Sequence, residues 1–203
     1  MPVDAVFLDR DGVINVDSGY VGDWDSFVFL PGVIEAMRTL CESGYAVVVV
    51  TNQSGIGRGF YTEEDFHVLT ERMCKELSQH GVSIAGVYFC PHLPEATLPQ
   101  YRKTCDCRKP QPGLIHRAVK ELDIDLARSA MVGDKDSDMQ AALAAGIPHR
   151  YQVTTGEPLA NCNAVNDLPD ACRALLATSY NSYPNISISR AKASVTSACV
   201  SGV

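Results

Sequence analysis

The sequence predicts an α/β fold of the doubly wound, Rossmann-like kind, with a parallel sheet carrying helices on both faces. Three observations lead there. Strand-like and helix-like segments alternate along the chain. The run Ala46-Val47-Val48-Val49-Val50-Thr51 is continuously apolar and β-branched up to its last residue, as expected of a strand buried on both faces. Residues able to do chemistry recur just where predicted strands end, the side on which such sheets bind ligands.

Taken in order, residues 5–9 read as the first strand. Residues 32–43 read as a helix closed by Gly44. The second strand spans 46–51. Thr62 and Asp65 form a capping-box pattern that opens a helix running to about residue 80, with Gly81 at its end. Residues 86–90 make a third strand and 113–122 a helix. Residues 130–134 are a fourth strand, followed by a helix at 137–145 that Gly146 stops. A fifth strand is expected at 149–153 and a last helix at 168–177. Asp9, Thr51, Cys90 and Asp134 all fall at carboxyl ends of these strands. No large insertion follows Asp11 or Thr51, so no large cap domain is expected. The zinc-type loop described below and the 17–24 and 54–61 loops would shape the pocket.

The chain has 203 residues, suited to one domain with a real core, here set at 1–178. Residues 179–203 are Ser-rich, lack acidic residues and show no apolar period, which reads as a flexible tail. A formal charge of −7 argues against a general nucleic-acid or anionic-membrane surface, while leaving room for a small anionic substrate held by local basic groups. No basic leader with an apolar stretch and no membrane-length apolar run is evident, so the chain reads as cytoplasmic.

Five groups of residues carry the chemistry. Phe7-Leu8-Asp9-Arg10-Asp11-Gly12 ends an apolar strand in two carboxylates one residue apart. Side chains at i and i+2 of a strand point the same way, so Asp9 and Asp11 can converge. Such a pair suits Mg²⁺ or a nucleophile beside an acid/base. A lone D-x-D-G is more often a solvated turn; three further pieces in compatible order change that balance. Thr51-Asn52-Gln53-Ser54-Gly55 supplies a hydroxyl and a Gly-containing turn able to hold phosphoryl oxygens. The glycines that follow, Gly55-Ile56-Gly57-Arg58-Gly59, do not fit a dinucleotide fingerprint and read as a mobile loop. Arg108-Lys109-Pro110 pairs a bidentate anion grip with a compact positive charge. In Gly133-Asp134-Lys135-Asp136-Ser137-Asp138, Asp134 can complete a Mg²⁺ site with Asp9. One turn later, Asp138 can orient Asp134, and Asp136 reads as a helix N-cap. Finally, Cys90-Pro91-His92 and Cys105-Asp106-Cys107 form C-x-H…C-x-C. Three thiolates and one imidazole match a closed, tetrahedral structural Zn²⁺ site. Such a site would pin loop 93–104 and fix Arg108 and Lys109 beside the catalytic groups. Cys41, Cys74, Cys162, Cys172 and Cys199 read as packing or tail residues.

The ordered set D-x-D-G, T-N-Q-S-G, R-K-P and G-D-K-x-x-D resembles the haloacid dehalogenase (HAD) superfamily of aspartate-nucleophile phosphatases. With Gly19-Tyr20-Val21, the C-x-H…C-x-C loop and Arg108-Lys109-Pro110-Gln111-Pro112-Gly113, residues 3–177 look like the D-glycero-D-manno-heptose 1,7-bisphosphate 7-phosphatase family. The histidinol-phosphate phosphatases of histidine biosynthesis share the zinc loop and stay open as an alternative. They usually lack the G-x-x-R-G after T-N-Q and the P-G after R-K-P, both present here. A third reading, a catalytically silent sugar-phosphate binding module, leaves the full catalytic set unexplained.

The resemblance implies the following roles. Asp9 is the nucleophile and Asp11 the acid/base. Thr51 and Lys109 stabilise the transferring phosphoryl group. Mg²⁺ is held by Asp9, Asp11 (through its carbonyl) and Asp134, and structural Zn²⁺ by Cys90, His92, Cys105 and Cys107. Asp17, Ser18, Gly19, Tyr20, Asn52, Gln53, Ser54, Arg108 and Lys135 match substrate-contacting positions. The implied substrate is the heptose bisphosphate, with Gly19-Tyr20-Val21 closer to the β-anomer type, for lipopolysaccharide core. The implied state is a monomer.

Overall fold

A computed structural model describes residues 2–182, with side chains described for 2–178. The elements run β1 (Ala5–Leu8), α1 (Val33–Glu42), β2 (Ala46–Asn52), α2 (Ser54–Arg58), α3 (Glu63–Gln79), β3 (Ile84–Cys90), α4 (Gly113–Leu122), β4 (Ala130–Gly133), α5 (Asp136–Ala145), β5 (His149–Val153), β6 (Asn163–Val165) and α6 (Leu168–Ser182). Short 3₁₀ turns lie at Pro99–Tyr101 and Leu126–Arg128.

All six strands are parallel, in the order β3-β2-β1-β4-β5-β6. The chain starts in the middle of the sheet, builds outward to β3, then crosses back to lay β4 on the other side of β1. The topological switch point therefore lies between β1 and β4, where open α/β sheets bind ligands.

Strand period 2 divides the core between the two faces. Val6, Leu8, Val47 and Val49 pack on one side with Met37, Leu40, Phe66 and Leu175 from α1, α3 and α6. Ala5, Phe7, Val48 and Val50 pack on the other with Leu114, Ile115, Ala118, Met139 and Ala142 from α4 and α5. β1 to β3 are buried over almost their whole length, which is why their sequences are runs rather than alternations. The capping box at α3 forms as expected, with the Thr62 hydroxyl accepting from the Asp65 amide and Asp65 accepting from the Thr62 amide.

Four expectations need correction. The segment read as a mobile loop contains α2, with Gly55, Ile56 and Gly57 buried; its glycines, poor helix formers, hide a turn that buries Ile56. Strand β6 was not expected, because three residues with two of them exposed carry no period. Helix α6 continues to Ser182, four residues into the segment read as tail; the rest of that segment lies outside the described residues. Asp136 is not the N-cap of α5. Lys135 is, and its amide donates to the Asp138 carboxylate at 3.0 Å, while Asp136 accepts from Gln152.

Candidate active site

β1 delivers Asp9 directly to the switch point, where its amide donates to the Val132 carbonyl of β4 at 3.0 Å. Asp134 follows the end of β4, beside the turn after Asp11. Gly12 has φ +86°, and a Cβ there would lie 2.5 Å from the Asp134 carboxylate, so only glycine permits both the turn and the approach.

Lys109 reaches this point from the loop before α4. Its ammonium lies 2.9 Å from Asp9 and 2.6 Å from Asp138, and it donates to the Val50 carbonyl at 2.7 Å. Asn52 fixes the lysine's backbone from both sides, accepting from its amide and donating to its carbonyl, each at 3.0 Å. Burial alone would pull the Lys109 pKa down, but Asp138 and Asp9 overcome it and hold the ammonium charged. Asp138 therefore pairs with Lys109 and caps Lys135; it does not orient Asp134. Sequence reasoning gave it the wrong partner, because the contact spans 29 residues and follows no local period.

Asp9, Asp134 and Asp138 offer carboxylate oxygens within 4.8 Å of one another. Three carboxylates against one buried ammonium leave the cluster net negative, and the half-exposed Lys135 ammonium lies 3.8 Å from Asp134 Oδ2. Desolvation and the nearby Asp9 charge push the Asp134 carboxyl up to about 7, and burial likewise raises Asp9. Asp134 Oδ1 is buried without a hydrogen-bond partner. An all-oxygen donor set, a net negative charge and an orphaned carboxylate oxygen fit a hard divalent cation.

The Asp11 carboxylate has a separate set of partners. It accepts from Arg10 Nε and Nη2, from Asn15 Nδ2 at 3.0 Å and from Gln53 Nε2 at 3.0 Å. The expected convergence of Asp9 and Asp11 is thus only partial: Asp9 pairs with Lys109, while Asp11 is held by Arg10, Asn15 and Gln53. Thr51 lies near the end of β2, and its hydroxyl accepts from Gln53 at 2.9 Å.

Around the mouth, Asp17, Ser18, Gly19 and Tyr20 are exposed. Lys135 bridges the opening to Asp17 at 3.2 Å. Tyr20 meets Phe60 edge-to-face, and the Arg58 guanidinium lies over the Tyr20 ring. Ser54 begins α2. Arg108 donates to the His92 carbonyl at 3.1 Å, tying it to the neighbouring thiol cluster.

In that cluster Cys90 ends β3, and His92, Cys105 and Cys107 come from the loop that follows. The separations are 3.2 Å for Cys107 to Cys90 and to Cys105, 3.6 Å for Cys90 to Cys105, 3.4 Å for His92 Nδ1 to Cys107 and 3.7 Å for His92 Nδ1 to Cys90. Zn–S and Zn–N bonds of about 2.3 and 2.0–2.1 Å imply tetrahedral edges of roughly 3.5–3.8 Å. The sulfurs are too far apart for disulfides. Hydrogen bonding from Cys90 brings the Cys107 thiol down to about 5, giving the cluster a thiolate. Three of the separations match those edges to about 0.1 Å and the two at 3.2 Å are shorter, and the donor chemistry fits zinc.

A parallel sheet with a carboxylate cluster at its switch point defines a HAD-type hydrolase, and residues 106–172 match the family model described as HAD-hydrolase-like. Relatives narrow the class. The chain is 51% identical over 181 residues to D-glycero-beta-D-manno-heptose-1,7-bisphosphate 7-phosphatase of Yersinia pestis, covering 85% of this chain and 96% of that protein. It is 49% identical to the enzyme of the same name from Escherichia coli (strain K12), covering 84% and 94%. A solved structure of D,D-heptose 1,7-bisphosphate phosphatase from B. bronchiseptica, complexed with magnesium and phosphate, aligns with TM-score 0.77 at 32% identity over 86% of this chain and 99% of that one. The chain belongs to the D-glycero-beta-D-manno-heptose-1,7-bisphosphate 7-phosphatase family.

Proposed function

We propose that this protein removes the C7 phosphate of D-glycero-D-manno-heptose 1,7-bisphosphate, in its β anomer, giving heptose 1-phosphate and inorganic phosphate. The observation that carries the reading is identity near one half across 85% of the chain to proteins bearing that name, joined to a site in which Asp9 and Lys109 are buried and paired.

The reaction runs in two displacements. The Asp9 carboxylate attacks phosphorus, the bond to the C7 oxygen breaks, and the departing oxygen takes a proton from Asp11. Water then attacks the aspartyl-phosphate, giving its proton to Asp11 and restoring Asp9. Lys109 and Thr51 hold the phosphoryl oxygens as charge spreads over them. Mg²⁺, held by Asp9, the Asp11 carbonyl and Asp134, would supply charge neutralisation to the same oxygens. Asp138 keeps Lys109 extended toward Asp9. Arg108, Lys135 and the 17–20 segment would receive the rest of the substrate, with Arg108 turned to the phosphate that is not cleaved. Zn²⁺ on Cys90, His92, Cys105 and Cys107 would be structural, since the protein fills all four positions. We further infer a cytoplasmic monomer. No helix among the described residues is long and apolar enough to cross a membrane.

The test is phosphate release in Mg²⁺ from both heptose bisphosphate anomers and from histidinol phosphate, side by side. Preference for the β anomer is expected. Preference for histidinol phosphate would overturn the substrate and leave the chemistry standing.

A further inference from the structure

Gln53 follows β2, and its side chain is only 2% exposed. Its carboxamide has three partners. Nε2 donates to Asp11 Oδ2 at 3.0 Å and to Thr51 Oγ1 at 2.9 Å, and Oε1 accepts from the Tyr61 hydroxyl. A carboxylate only accepts, so Nε2 must face Asp11, leaving Oε1 for Tyr61. The Tyr61 ring is itself wedged: a Cβ on Gly22 would lie 2.4 Å from it and one on Gly55 2.3 Å. Burial pushes the Tyr61 hydroxyl up to about 12, so it stays a proton donor. The Thr51 oxygen, already accepting from Gln53, is left with its proton free to point at another acceptor.

We propose that Gln53 is a positioning residue rather than a substrate contact: its carboxamide, oriented by Tyr61, sets the Asp11 carboxyl for proton transfer and aims the Thr51 proton at the phosphoryl group. The proposal rests on the two-step reaction above. A substrate-contact role would place the carboxamide at the open mouth with Asp17–Tyr20; instead it lies beneath, among groups that act on the reacting atoms.

The leaving group separates the alternatives. A sugar alkoxide needs a proton as it departs, whereas 4-nitrophenolate leaves without one. Gln53→Met keeps the side-chain volume and removes both donations. Rapid-quench measurement of aspartyl-phosphate formation on Asp9 should show a loss of about tenfold or more with heptose bisphosphate. The loss with 4-nitrophenyl phosphate should be several times smaller, and KM for the heptose should stay within about twofold. Tyr61→Phe, which keeps the ring wedged between the glycines, should give the same split on a smaller scale, and it decides the matter if Gln53→Met does not fold. Equal losses on both substrates would show that Gln53 does not serve proton transfer by Asp11 and would overturn the proposal. So would a raised KM at unchanged kcat, the mark of a substrate contact. A wild-type enzyme that never phosphorylates Asp9 would remove the reaction itself, a failure visible without any variant.

Discussion

Two polar clusters stand a few residues apart on the same side of this sheet, and they are built on opposite principles. The carboxylate cluster draws Asp9 from β1, Asp134 from the end of β4, Asp138 from α5 and Lys109 from a loop. The thiol cluster draws all four of its groups from the end of β3 and one following loop. The first is assembled by the whole fold from hard oxygen donors that leave one carboxylate oxygen unsatisfied. The second is local, soft and closed. The contrast teaches that a metal-type constellation can serve chemistry only if the protein leaves part of it unfinished. The two are joined through the chain, since Cys107, Arg108 and Lys109 are consecutive.

The sharpest way to break the comparison is Asp9→Asn. Turnover should fall by roughly 10⁴-fold or more, as for loss of a covalent nucleophile, while bound zinc and the melting temperature stay as they were. Retained turnover would end the covalent reading. Cys107→Ser probes the other side. The purified wild type should hold about one Zn²⁺ per chain by elemental analysis. The variant should lose it, melt about 5–10 °C lower, and turn over more slowly because Arg108 and Lys109 lose their anchor. Full activity without zinc would show that the two clusters are independent.

The smallest effect is a matter of pH. The Asp134 carboxyl is held near 7, above its ordinary 3.8, so the bound proton stabilises the metal-free fold fully below about 4. That stabilisation is lost as pH rises through about 7. A divalent cation takes the proton's place, so Mg²⁺ should raise the melting temperature more at pH 8 than at pH 5.5, by about 2–4 °C. Equal shifts at both values would remove Asp134 from the cation site.

Much of this was legible beforehand, for identifiable reasons. The sheet was readable because β1 to β3 are buried on both faces, which writes a continuous apolar run. The thiol cluster was readable because its ligands lie in two tight pairs. Asp9 and Asp134 were readable because each directly follows an apolar strand. Side-chain direction was not. Nothing local says that Asp11 turns to Arg10, Asn15 and Gln53, or that Asp138 reaches back to Lys109, because partners brought together by crossovers leave no period in the sequence. Helix α2 was hidden by its glycines, and β6 by its brevity.

The loop between His92 and Cys105 is fastened at both ends to one cluster, and that cluster is fastened to Lys109. Its middle, 93–104, touches α2, where the Leu98 amide donates to the Gly57 carbonyl, but carries none of the reacting groups. Residues at its crest can therefore be exchanged over evolutionary time without moving the nucleophile or its lysine. In such a molecule the shape of that crest and the machinery around the nucleophile can vary as separate traits.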